Sequence, residues 1–75
     1  MTAAELRDLF LTVLTRRFGG SRRRWRIVIG EVRLYSTATH PHCNWAVYPA
    51  GSAGENGAVE AVADDLRAAH PIISG

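Results

Sequence analysis

Apolar positions recur with a helical period at the start of this chain, alternate in its middle, and return to a helical period near its end. Leu6, Leu9, Phe10, Val13 and Leu14 fall three and four residues apart, so they line one face of a helix expected over about Ala3 to Phe18. Thr2 and Glu5 have capping-box spacing, in which each side chain satisfies a free amide of the first turn. Arg17 lies on the same stripe, so the helix frays there or the arginine stem carries its charge outward. Gly19-Gly20 ends the helix, because glycine enters left-handed backbone without steric cost.

Two runs with strand-like alternation follow, Arg23 to Ile29 and Val32 to Thr37. Gly30-Glu31 between them suits a two-residue type II′ hairpin turn. That turn pairs Ile29 with Val32, Ile27 with Leu34 and Trp25 with Ser36 on one face. The opposite face pairs Val28 with Arg33, Arg26 with Tyr35 and Arg24 with Thr37. One face is apolar and the other basic, the pattern of an antiparallel sheet covered on one side. Reversing the charge of Arg24 and Arg26 together is therefore expected to leave the fold intact if both lie on the open face, and to unfold it if the register is shifted by one residue. A third strand is expected over about Cys43 to Tyr48, with Trp45 and Val47 in the core and Asn44, Ala46 and Tyr48 on the open face. Trp45 reads as a core anchor, and Asn44 as solvated or touching a ligand.

Pro49 to Gly57 reads as a loop. A last helix begins between Ala53 and Ala58 and runs to His70, with Ser52 and Glu55 as a second capping box. Val59, Val62, Ala63 and Leu66 line its inner face, and Pro71 stops it. The expected fold is α+β in the order α-β-β-β-α, a three-stranded antiparallel sheet with two helices packed on one face, forming one domain over residues 1–75.

Length and composition sharpen this. Seventy-five residues hold one small core, and a stability of roughly 4–11 kcal/mol is expected. A hydrophobic content of 47% excludes a disordered tail, while no apolar run approaches a membrane span. The single cysteine, Cys43, leaves no internal disulfide to expect, and Glu5, Arg7 and Asp8 interrupt any signal-peptide pattern, so a cytoplasmic location is expected.

Charge changes the picture more. The net charge is only +2, but residues 16–26 hold six arginines and no acid. The stretch from Glu55 onward sets Glu55, Glu60, Asp64 and Asp65 against Arg67. Such asymmetry fits an anionic partner, a domain whose two ends attract each other, or a head-to-tail dimer. The basic residues are all arginine, the usage of a GC-rich genome, and a bacterial or phage source is expected. The candidate anion-binding set is Arg22, Arg23, Arg24, Arg26 and Arg33 with Tyr35 and Tyr48, arginine for phosphate and tyrosine for base stacking. The same residues also suit a solvated sheet face with a cross-strand cation–π pair of Arg26 and Tyr35.

His40-Pro41-His42-Cys43 is a second candidate, since imidazole and thiolate are zinc and copper ligands and His70 is a further possible donor. Its spacing lacks the second ligand pair of the usual zinc pattern, and a small buried Cys43 explains it as well. A nucleophilic Cys43 would need an activating partner that nothing in the sequence supplies. Asp64 and Asp65 diverge by about 100° on a helix and cannot face each other. No glycine motif cradles a phosphate, and no cofactor is expected.

The α-β-β-β-α order resembles the double-stranded-RNA-binding domain and the small mRNA-cleaving toxins built on the same plan. The toxins place a catalytic histidine after Gly-Ser at the first strand, where this chain has Gly20-Ser21-Arg22. The RNA-binding domain places lysines at the start of its last helix, where this chain has Glu55 and Asn56. Neither set of functional residues carries over. The expectation is a non-enzymatic binding domain, monomer or homodimer, for nucleic acid or an acidic protein surface; the alternatives are a protein-interaction module and a metal-binding domain using His40, His42 and Cys43.

Overall fold

A computed structural model describes residues 1–75. Its first helix, α1 (Ala3–Phe18), has the expected bounds and the expected capping box, with Glu5 N donating to Thr2 Oγ1 at 3.1 Å and Thr2 N to Glu5 Oε1 at 2.9 Å. It buries Leu6, Phe10, Leu11 and Leu14, while Leu9 and Val13 are only partly covered. Gly19 ends it at φ 75°.

The next segment departs from expectation. Arg22–Ile29 is a helix, α2, where a strand over Arg23 to Ile29 was expected. The run Trp25-Arg26-Ile27-Val28-Ile29 satisfies either period: alternation buries Trp25, Ile27 and Ile29, while helical spacing buries Trp25, Val28 and Ile29. The second set is buried, and Ile27 is left 62% exposed. The ends decide the matter. Ser21 Oγ accepts from Arg24 N at 3.0 Å as an N-cap, and Gly30, at φ 64°, donates its N–H to Arg26 O as a C-cap. Gly30 thus closes a helix and turns no hairpin. Trp25 Nε1 donates to Gly19 O at 2.8 Å, which ties α2 to the end of α1.

The remaining strands are short. β1 (Arg33–Leu34) and β2 (Trp45–Ala46) pair antiparallel, Arg33 opposite Ala46 and Leu34 opposite Trp45. Tyr35 N extends the pairing to Asn44 O at 2.7 Å. The three-stranded sheet is therefore replaced by three helices around a two-stranded ladder, still a small α+β fold, and the likeness to the RNA-binding domain and the toxins goes with it.

α3 (Ala53–Ala69) starts early despite Gly54 and Gly57, because the Ser52–Glu55 box satisfies its first turn from both sides. Gly51 just before it lies so close to Val28 that a Cβ there would come within 3.0 Å of both its methyls. Ala58, Val59, Val62, Ala63 and Leu66 face the core. At its centre Phe10 and Trp45 meet edge to face, centroids 5.7 Å apart. Beyond Pro71 the chain returns across the ladder, burying Ile73 and pairing Ser74 with Thr2. No helix is long and apolar enough to cross a membrane.

Candidate nucleic-acid interface

The arginine run divides into two sets. Arg22 pairs with Asp8 and donates to Thr12 Oγ1 at 3.2 Å, joining α2 to α1. Arg24 donates from Nε and Nη2 to the two carboxylate oxygens of Glu55 at 2.9 and 2.8 Å, joining α2 to α3. Arg17 reaches Asp65 at 2.7 Å, joining α1 to α3. Each pair of helices is thus tied by one arginine–carboxylate contact. The charge asymmetry of the sequence is in large part this internal attraction between the basic run and acids elsewhere in the chain.

Arg16, Arg23 and Arg26 are exposed and have no carboxylate within ion-pair reach. Arg23 and Arg26 sit on the outer side of α2, and Arg16 continues the stripe of Asp8 and Thr12 that Arg22 touches, which sets it toward the start of α2. The proposed sheet face carrying Arg24 and Arg26 does not exist. Arg24 helps hold the fold and Arg26 is free, so the expectation that both tolerate reversal is corrected: Arg24→Glu sets two carboxylates against each other, while Arg26→Glu meets no acid.

Glu55 titrates unusually low as a result. Its hydrogen bonds from Arg24, then the one from the Ser52 amide, bring it from the ordinary 4.5 to about 2. A carboxylate whose folded value is depressed stabilises the fold above its unfolded value and loses that contribution as pH falls. The stability of the chain is accordingly expected to decline between about pH 4.5 and pH 2 from this pair. In Arg24→Gln the decline attributable to Glu55 should shrink and move toward higher pH, as read from urea midpoints across that range. An unchanged profile would show that Arg24 does not hold Glu55.

The ladder organises a second surface. Arg33, which follows the α2 cap on β1, sets its guanidinium 5.7 Å from the centre of the Tyr48 ring. The Tyr48 and Tyr35 hydroxyls share a hydrogen bond of 2.8 Å. Tyr35 stacks on His40, centroids 4.4 Å apart and rings 19° from parallel. Ser36 turns the loop that returns His40 to this position, accepting from the amides of Thr39 and His40 through its carbonyl. The hydrogen bond between the two hydroxyls raises the Tyr35 phenol above the usual 10, burial and the Tyr48 charge adding to it and Arg33 opposing it. The cation–π pair expected between Arg26 and Tyr35 is thus formed by Arg33 and Tyr48 in its place.

The structure brings Arg33, Tyr35 and Tyr48 together and separates them from the pairing roles of Arg22 and Arg24. His40, expected only as a metal donor, joins the cluster as a stacking ring. The metal candidates do not converge: no three His, Cys, Asp or Glu side chains are grouped to hold an ion. Cys43 is partly buried against the core with its thiol donating to Trp45 O at 3.4 Å, His42 is exposed, and the His70 carbonyl accepts from Trp45 Nε1. Asn44, expected on an open face, is 4% exposed and bonded to the C-terminal segment. Trp45 is in the core as expected. No family model matches the sequence, no curated protein is similar to it, and no solved structure matches its fold.

Proposed function

We propose that this chain is a small non-enzymatic domain that binds nucleic acid through Arg16, Arg23 and Arg26 beside α2 and Arg33 on the ladder. The observation that supports it is the division of the arginines. Carboxylates within the fold neutralise Arg17, Arg22, Arg24 and Arg67, while these four exposed cations have none. A phosphate backbone supplies what the fold withholds, and each contact releases condensed counterions. A monomer has all four cations, and a cytoplasmic location provides the ligand.

Titrating labelled protein with short DNA and RNA oligomers is expected to shift the amides of residues 16, 23, 26, 33–35 and 48. With four phosphate contacts, log K should fall with log salt at a slope of about −3 for single strands. Arg23→Glu with Arg26→Glu should keep the native spectrum and cost most of the affinity. Native spectra with no shifts at millimolar oligomer would end this reading. Exposed Ile27 beside Arg23 and Arg26 favours a second one, an acidic protein partner with an apolar anchor. Ile27→Asn should then abolish capture of that partner and leave oligomer binding untouched.

A further inference from the structure

We infer that the Arg33–Tyr35–His40–Tyr48 cluster is a stacking site for an unpaired nucleobase, so that the nucleic acid taken is single-stranded; the inference rests on the nucleic-acid reading above. Tyr48 leaves 61% of its surface in water, on a fold that buries both its tryptophans and Phe10. Nothing in the core requires a ring there. Its orientation is nonetheless held. The hydroxyl is bonded to Tyr35, Tyr35 is stacked on His40, and His40 Nδ1 lies 2.8 Å from Thr39 Oγ1. Two positions on, Ala50 N donates to Val28 O at 2.9 Å and anchors the backbone to α2.

An aromatic ring fixed before binding loses little freedom when a base stacks on it. The Arg33 guanidinium lies over one face of the ring, so a base would stack on the opposite face, with the cation polarising the stack and meeting the neighbouring phosphate. Bases in a duplex are already stacked on one another and offer no face to Tyr48, whereas those of a single strand do. Sequence preference should be weak, because every base has a π-face.

The test compares four probes on the intact chain: oligodeoxythymidine and oligouridine of about eight nucleotides, within the range that one small domain covers; an abasic strand of the same length; and a duplex. The single strands should bind tighter than the abasic strand and the duplex. Tyr48→Leu should weaken single-strand binding by about 5- to 150-fold, the span of one base–aromatic stack, and bring it to the abasic level. Tyr48→Phe keeps the ring but loses the hydroxyl's bond to Tyr35, so its affinity should fall between those of the parent and Tyr48→Leu. Tyr48 is exposed, so both variants should keep the native amide spectrum. Equal binding of abasic and normal strands, a duplex bound as well as a single strand, or full affinity in Tyr48→Leu would overturn the stacking site and leave phosphate binding standing. Failure of every probe would overturn both.

Discussion

Trp45→Ala is expected to lower the urea midpoint of unfolding at 25 °C by a large fraction of the parent's. Trp45 is 2% exposed, meets Phe10 edge to face, and carries the Arg67 guanidinium 5.1 Å from its ring centre. Its Nε1 donates to His70 O at 2.8 Å, which fixes the end of α3 against β2. Truncating a buried aromatic to alanine costs about 3–5 kcal/mol, because the surrounding core closes only partly over the cavity. The stranded His70 carbonyl adds to that if it stays buried. A chain of this length has roughly 4–11 kcal/mol in all, so one substitution removes a third of the stability or the whole of it. Trp45→Phe keeps most of the apolar area and loses the hydrogen bond, and it should fall between the two. Urea denaturation followed by circular dichroism reads both. A midpoint for Trp45→Ala close to that of the parent would mean that Phe10 and Trp45 do not form the centre of the core.

How far the fold was legible follows from where each decisive contact lies. Thr2 with Glu5 and Ser52 with Glu55 are contacts three residues apart, so both long helices could be read with their caps. α2 could not. Its apolar residues fit two periods, and the choice depends on Ser21 and Gly30, whose roles as caps become visible only once Val28, and not Ile27, is seen to face α3 and Gly51. Strand-like alternation did place Arg33, Tyr35 and Tyr48 on one open face, which is why three of the four members of the cluster were readable. His40 reaches Tyr35 only through the Ser36 turn. The partners of Arg22 and Arg24 lie 14 and 31 residues away, so an arginine run that reads as one basic patch divides into helix ties and free cations only in three dimensions.

That division has a consequence for any binding measurement. Salt weakens phosphate contacts and also screens the ion pairs between helices. Loss of binding at high salt reports on the interface only while the amide spectrum shows the helices still packed. Charge reversal at Arg23 and Arg26 avoids the ambiguity, because neither residue takes part in an ion pair.

Asn44→Ala is expected to cost about 2–6 kcal/mol, from two buried backbone groups left without partners at about 1–3 kcal/mol each. Asn44 Nδ2 donates to Ile73 O at 2.7 Å and its Oδ1 accepts from Ile73 N at 2.9 Å, so the side chain acts as one rung of a sheet for the C-terminal segment. Its own amide donates to Pro71 O at 3.0 Å, and its carbonyl accepts from Tyr35 N at 2.7 Å. One residue therefore joins the C-terminal segment to the loop that carries Tyr35 and His40. Asn44→Asp isolates the donor: an ionised carboxylate still accepts from Ile73 N but faces Ile73 O with no proton to give. Burial against that carbonyl raises the carboxyl above its ordinary value of about 3.9. A raised folded value stabilises below the unfolded pKa and is lost as pH rises through it, so this variant should be near parental stability in acid and weakest at neutral pH. Asn44→Ala should show no such dependence. Hydrogen exchange at the Ile73 and Tyr35 amides follows both groups separately. Faster exchange at Ile73 with Tyr35 unchanged would show that the C-terminal segment and the aromatic cluster are not coupled through Asn44. Faster exchange at both, with the Tyr35–His40 stack loosened, would show that the residue holding the end of the chain also sets the candidate binding surface.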